Sequence, residues 1–139
     1  MRLVLDTNVA ASGLLWDSGP PAQLIDAARA GDIELFTSKP LLAELARILA
    51  RRKFARHMAA STLTIEEIVL GYAELTTVVE PAEITPTITV DPDDDQVLAC
   101  ALAAQADLIV SRDDAVLNLK HYHGIDIVLA AAAVERIKV

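Results

Sequence analysis

The sequence predicts an α/β fold: a three-layer α/β/α sandwich around a central, mainly parallel sheet. Three observations predict it. Short apolar runs bounded by turn residues alternate with longer stretches of helical periodicity along the whole chain. The first run, Leu3-Val4-Leu5, is apolar at every position, as a strand buried on both faces must be. Strand and helix candidates take turns rather than clustering, which calls for right-handed crossovers and a sheet covered on both sides.

The elements follow in order. Leu3–Leu5 reads as a strand, broken by Asp6-Thr7-Asn8, whose side chains favour turns and helix caps. A helix follows near Val9 to Leu15, and Asp17-Ser18-Gly19-Pro20-Pro21 is a loop. Pro20 or Pro21 opens a helix through Ala30, closed by Gly31. Glu34–Thr37 is the second strand. Ser38 caps a helix to about Arg51, with Leu41, Leu42, Leu45, Ile48 and Leu49 at helical spacing. Ser61–Leu75 reads as another helix and β-branched Thr76–Val79 as a strand. Pro81–Pro92 is the one long irregular stretch. Asp91-Pro92-Asp93-Asp94-Asp95 opens a helix that buries Val97, Leu98, Ala101 and Leu102. Leu108–Val110 and Ile125–Val128 are strands, and Ala130–Arg136 is the last helix.

A length of 139 residues fits one domain over 1–139, with no internal repeat and no boundary. The apolar fraction of 53% is enough for a core without disulfide or structural metal. A single cysteine, Cys100, excludes an internal disulfide and a multi-cysteine zinc site, and suits a reducing cytoplasm. The apolar opening is too short for a signal peptide, and no stretch reaches the length of a membrane span. The formal net charge is −8, which disfavours a passive nucleic-acid binder. It weighs less against a metal nuclease, because acids that bind a divalent cation become a local positive site once loaded.

Four acids occupy corresponding places in this layout. Asp6 and Asp113 follow apolar strands; Glu44 and Asp95 lie in the first turns of helices. In a parallel sheet, strand C-termini and the N-termini of the following helices share one edge, where ligands bind. Topology alone thus gathers residues far apart in sequence. Like-charge repulsion makes such a gathering costly, and a hard cation offsets it. Oxygen-only ligands suit magnesium or manganese better than zinc. A bound ion of this kind acidifies a water and neutralises charge on a phosphoryl group. Each acid taken singly is also an ordinary helix cap; Asp6 is sharper, since an acid that ends a buried strand needs a partner.

Leu3-Val4-Leu5-Asp6-Thr7-Asn8-Val9 resembles the opening of PIN domains. Ser38-Lys39-Pro40-Leu41-Leu42-Ala43-Glu44-Leu45 resembles the family's second motif, a helix carrying a glutamate. Asp95-Gln96-Val97-Leu98-Ala99-Cys100-Ala101 and Ile109-Val110-Ser111-Arg112-Asp113 resemble the third and fourth. The resemblance implies a four-acid site of Asp6, Glu44, Asp95 and Asp113 that binds Mg2+ or Mn2+, with Asn8 and Ser111 in support. It implies hydrolysis of RNA to a 5′-phosphate and a 3′-hydroxyl. The Asp91–Asp95 run looks most like the toxin components of toxin–antitoxin systems, which implies a homodimer and a separately encoded antitoxin. Asp91, Asp93 and Asp94 compete with Asp95, which is chosen for its register with Leu98 and Ala99. Asp114 competes with Asp113, chosen for its distance from the strand.

Arg47, Arg51, Arg52, Lys53 and Arg56 form the densest basic cluster, with Arg51, Arg52 and Lys53 as candidate RNA contacts or simply a solvated helix end. His121 and His123 do not share a helical face, His57 reads as a surface residue, and Trp16 reads as an interface anchor or a partly buried side chain. Two rival functions remain: a receiver-like magnesium-binding phospho-acceptor domain, and a PIN-like module without activity. A P-loop and a Ser–His–Asp elbow are absent.

Overall fold

A computed structural model describes residues 1–88 and 91–138. In chain order the elements are β1 (Arg2–Leu5), α1 (Thr7–Leu15), α2 (Pro20–Arg29), β2 (Glu34–Thr37), α3 (Lys39–Leu49), α4 (Ala55–Ala60), α5 (Ile65–Leu75), β3 (Thr77–Val78), α6 (Asp95–Ala104), β4 (Leu108–Val110), α7 (Asp114–Leu117), β5 (His121–Tyr122), β6 (Ile125–Val128) and α8 (Ala130–Ile137). Short 3-10 turns cover Arg52–Phe54 and Pro92–Asp94.

The six strands run in the order β3-β2-β1-β4-β6-β5. All neighbours pair in parallel except β5 with β6. The edge strands β3 and β5 have two residues each, which leaves little unpaired backbone to template another chain. Alternation along the strands divides the core in two. Leu3 and Leu5 of β1, Leu35 of β2 and Leu108 and Val110 of β4 face α1, α2, α3, α5 and α8. Val4, Phe36, Ile109 and Ile127 face the opposite way, against Val97, Leu98, Cys100, Ala101 and Ala104 of α6 and Val116 of α7. That is a three-layer α/β/α arrangement, as the alternating pattern predicts.

Gly13 lets α1 lie close on α2. A Cβ there would sit 2.7 Å from the Pro21 carbonyl oxygen and 2.8 Å from Ile25 Cγ1.

Four local features differ from the sequence reading. The helix expected from Ser61 begins at Ile65, because Thr64 and Glu67 form a capping box that fixes the start. The basic segment after α3 is not a frayed helix end: buried Phe54 pins a 3-10 turn, and α4 follows. His121–Tyr122 is a strand, turned back onto β6 through His123 and Gly124, both at positive φ (49° and 80°). His57 is half-buried, with its ring 5.6 Å from that of Trp16, which is 36% exposed. Of the irregular stretch Pro81–Pro92, residues 89 and 90 lie outside the described residues, as does Val139.

Among the described residues, no helix is long and apolar enough to cross a membrane.

Candidate metal centre

The strand order reverses between β1 and β4, which lie side by side while their chain neighbours go opposite ways. A crevice opens outside the carboxyl ends of such a pair. Asp6 and Asp113 stand there. Asp6 directly follows β1, and its N–H donates to the Val110 carbonyl (2.8 Å), which ties it to the end of β4. It is also the N-cap of α1.

Asp6 is 9% exposed, and its carboxylate is held at both oxygens. The Thr7 N–H donates to Oδ1 (2.9 Å) and the Ser111 hydroxyl donates to Oδ2 (2.7 Å). Ser111 is fully buried and also accepts from the Asp113 N–H (3.1 Å). One hydroxyl thus fixes the carboxylate of Asp6 and the backbone of Asp113. Asp113 caps α7 by accepting from the Ala115 N–H (2.9 Å). Cap and site acid are therefore compatible readings of Asp113.

The acids feel one another. Burial raises the Asp6 carboxyl above its ordinary value, the two hydrogen bonds oppose this, and the charge of Asp113 adds to it. Burial also raises Glu44, followed by the charges of Asp6 and Asp93, with Arg47 pulling the other way and Asp91 adding. Asp94 is pushed up to about 7, first by burial, then by Asp113, Asp6 and Asp91, and by a side-chain hydrogen bond to Asp113. A carboxyl raised by neighbouring carboxylates is the usual response of like charges held together.

The structure brings Asp6, Glu44 and Asp113 into one electrostatic neighbourhood. It does not bring Asp95 there. The Asp95 carboxylate accepts from the Thr87 N–H (3.1 Å) and the Ile88 N–H (2.8 Å), clasping the preceding loop onto the start of α6. Asp95 also lines a hollow of about 440 Å3 with Pro81, Ile84 and Pro86. Its neighbour Asp94 is the acid on which the charges of Asp113 and Asp6 act. The reason is helix phase. One residue is a rotation of about 100°, and the loop backbone claims the side chain that points toward it. Asp95→Ala would leave two N–H groups without their acceptor, an expected loss of roughly 1–3 kcal/mol. A fall in Tm with divalent-ion binding largely kept would bear this out; the reverse pattern would return Asp95 to the ligand set.

Among the described residues, no three acidic, histidine or cysteine side chains stand together as a ready ligand set. The donors available are nevertheless all carboxylate oxygens. Among the described residues the ion pairs engage Arg29, Arg136 and Lys138, and none engages Asp6, Glu44, Asp94 or Asp113. Negative charge without paired cations, on oxygen ligands alone, fits a hard divalent ion.

The two supporting residues have separate duties. Ser111 holds Asp6. Asn8 accepts a hydrogen bond from Lys53 Nζ (3.1 Å), which links α1 to the basic turn after α3. Burial lowers the Lys53 ammonium, and the charges of Arg112 and Arg51 lower it further. Arg112 was not singled out in the sequence, although it lies between Ser111 and Asp113. His121 and His123 sit in the edge hairpin, and no described side-chain hydrogen bond joins them to the acids. Cys100 is a buried core residue; burial pushes its thiol up to about 12, against a hydrogen bond with Ser38.

No curated protein matches the chain. A family comparison does: the family described as "PIN domain" matches residues 2–115. PIN domains are typically nucleases, generally use divalent metal ions, and act on RNA. The match runs from β1 through β4 to the start of α7, and so takes in Asp6, Glu44, Asp94, Ser111 and Asp113. The chain belongs to the PIN-domain family.

Proposed function

We propose that the protein is a ribonuclease dependent on Mg2+ or Mn2+, with Asp6, Glu44, Asp94 and Asp113 holding the ion directly or through water. The observation that carries this is the mutual charge of these acids around Asp6 and Asp113 at the carboxyl ends of β1 and β4, with none of the four in an ion pair among the described residues. When bound, such an ion supplies an acidified water and charge neutralisation at a phosphodiester. The chain's own residues prepare the place. Ser111 orients the Asp6 carboxylate and anchors Asp113 in the same bond network. Asp94, raised by the neighbouring acids, would give up its proton when a cation binds. Asp95 keeps the loop before α6 in position, and so sets where Asp94 stands.

The role of toxin in a toxin–antitoxin pair, with a homodimer and a separately encoded antitoxin in the cytoplasm, belongs to the same proposal. It is supported by the resemblance of the Asp91–Asp95 run, together with the long helical middle of the chain. We also take residues 1–139 as one domain. Beyond residue 115, β6 pairs with β4 in the same sheet and α8 packs on α2, which supports this.

The test is cleavage of a labelled RNA mixture by wild type with Mg2+, with Mn2+ and with chelator. The expected result is metal-dependent cleavage that leaves 5′-phosphate ends. Equal RNA loss in all three arms would sink the nuclease reading and leave a PIN-like module without activity.

A further inference from the structure

Three cations from two distant parts of the chain meet beside the acids. Lys53, in the turn after α3, donates from Nζ to Asn8 Oδ1 (3.1 Å), two residues past Asp6. Arg112 stands between Ser111, whose hydroxyl holds Asp6, and Asp113. Arg51 and Arg112 both lie near enough to Lys53 for their charges to act on it. All three are exposed. Among the described residues none of them is in an ion pair, although the chain carries 20 acidic residues against 12 Lys and Arg.

In so acidic a protein, cations that repel one another and take no carboxylate partner are out of keeping with a merely solvated surface. The described partners of Lys53 are neutral, the amide oxygen of Asn8 and, 5.0 Å from its ammonium, the ring of Phe54. A polyanion would satisfy what the fold leaves unsatisfied. Phosphates are such a partner, and cations of this kind fix the backbone of a nucleic acid without reading its sequence.

We propose that Lys53, Arg112 and Arg51 form a phosphate subsite of the RNA, for the phosphate adjoining the one that is cleaved. This rests on the ribonuclease reading above for the identity of the ligand. Asn8 is the resting partner of Lys53 and gives it up when RNA arrives. Lys53 and Arg112 are binding residues here, and the acids remain the group at which the chemistry occurs.

The experiment measures affinity for a labelled single-stranded RNA as a function of KCl, for wild type, Lys53→Gln, Arg112→Gln and the double variant. Arg29→Gln is the control, because it removes the same charge from α2, where Arg29 pairs with Asp26. Binding is measured in Asp6→Asn protein, so that RNA stays intact. Each single variant is expected to weaken binding roughly fivefold to tenfold and to lower the slope of log K against log salt by about 0.7. In cleavage assays KM rises while kcat changes less than about twofold. An unchanged Mn2+-induced rise in Tm shows that the acid group is intact. If the double variant matches Arg29→Gln in affinity and salt slope, the subsite is refuted even where wild type cleaves RNA. If RNA binds through these cations but is never cleaved, the phosphate contact stands, while its place beside a cleaved phosphate falls with the nuclease reading. If wild type binds no RNA at all, both fall, and an acidic protein segment becomes the partner to seek.

Discussion

Asp6→Asn is expected to lower RNA cleavage by more than about 10³-fold while leaving the fold intact. The expectation follows from how Asp6 is held. Its carboxylate is buried and receives hydrogen bonds on both oxygens, so it is fixed in place before any ligand arrives. Asparagine has nearly the same shape. Its amide oxygen still accepts from the Thr7 N–H, and its amide nitrogen can donate to Ser111 once that hydroxyl rotates. Packing is kept and the charge is lost.

The same substitution has a stability signature of definite sign. Burial raises the Asp6 carboxyl in the folded protein. A group raised on folding binds its proton more tightly in the native state, so stability falls as pH rises through the interval between the unfolded and folded values. Asparagine does not titrate. The metal-free variant is therefore expected to gain Tm relative to wild type, more at a pH above the raised folded value than near the ordinary 3.8. Cleavage within tenfold of wild type at matched Mn2+ would remove Asp6 from the site, whatever the thermal result.

What the sequence made legible and what it hid have separate physical causes. Asp6 and Asp113 were legible because each ends an apolar strand, and an acid in that position is conspicuous. Glu44 was legible because Ser38 and Pro40 mark the start of its helix. Which of Asp93, Asp94 and Asp95 stands nearest Asp6 and Asp113 was not, since they differ only in helix phase, and the phase is decided by a loop without periodicity. Register with Leu98 and Ala99 favoured the residue that the loop then claimed. The start of α5 was written in the sequence as Thr64-Ile65-Glu66-Glu67, a capping box that could have been read. The turn before Gly124 was legible from the glycine, but the strand His121–Tyr122 was not, because two residues are too few to show an alternating pattern. The convergence of Lys53 with Asn8 and Arg112 joins residues about 45 and 60 positions apart, and no local pattern foretells it.

Raising the pH from about 5 to about 8 is expected to lower the Tm of the metal-free protein and to enlarge the Tm rise produced by Mn2+. The cause is the carboxyl of Asp94, which partial burial, the charges of Asp113, Asp6 and Asp91, and the bond to Asp113 hold at about 7 rather than the ordinary 3.8. Between those values the folded chain binds more protons than the unfolded chain. Its contribution to stability is complete only below the lower value and is lost as pH climbs to the upper one. Glu44 and Asp6 shift in the same direction and add to the fall. Asp94 is partly exposed, so added salt should shrink its share. A divalent ion reverses the trend, because it needs the carboxylates ionised and must displace protons to bind. At about 100 times its Kd it would stabilise by about 2.7 kcal/mol, a Tm rise of about 10 °C for a domain of this size. Calorimetry in buffers of different ionisation enthalpy should register protons released on Mn2+ binding at pH 6 and fewer at pH 8. Asp94→Asn should flatten both the pH slope and the proton release. A Mn2+ shift indifferent to pH, with no protons released, would mean that Asp94 keeps its proton in the loaded protein, and that the ion, if it binds, is held elsewhere.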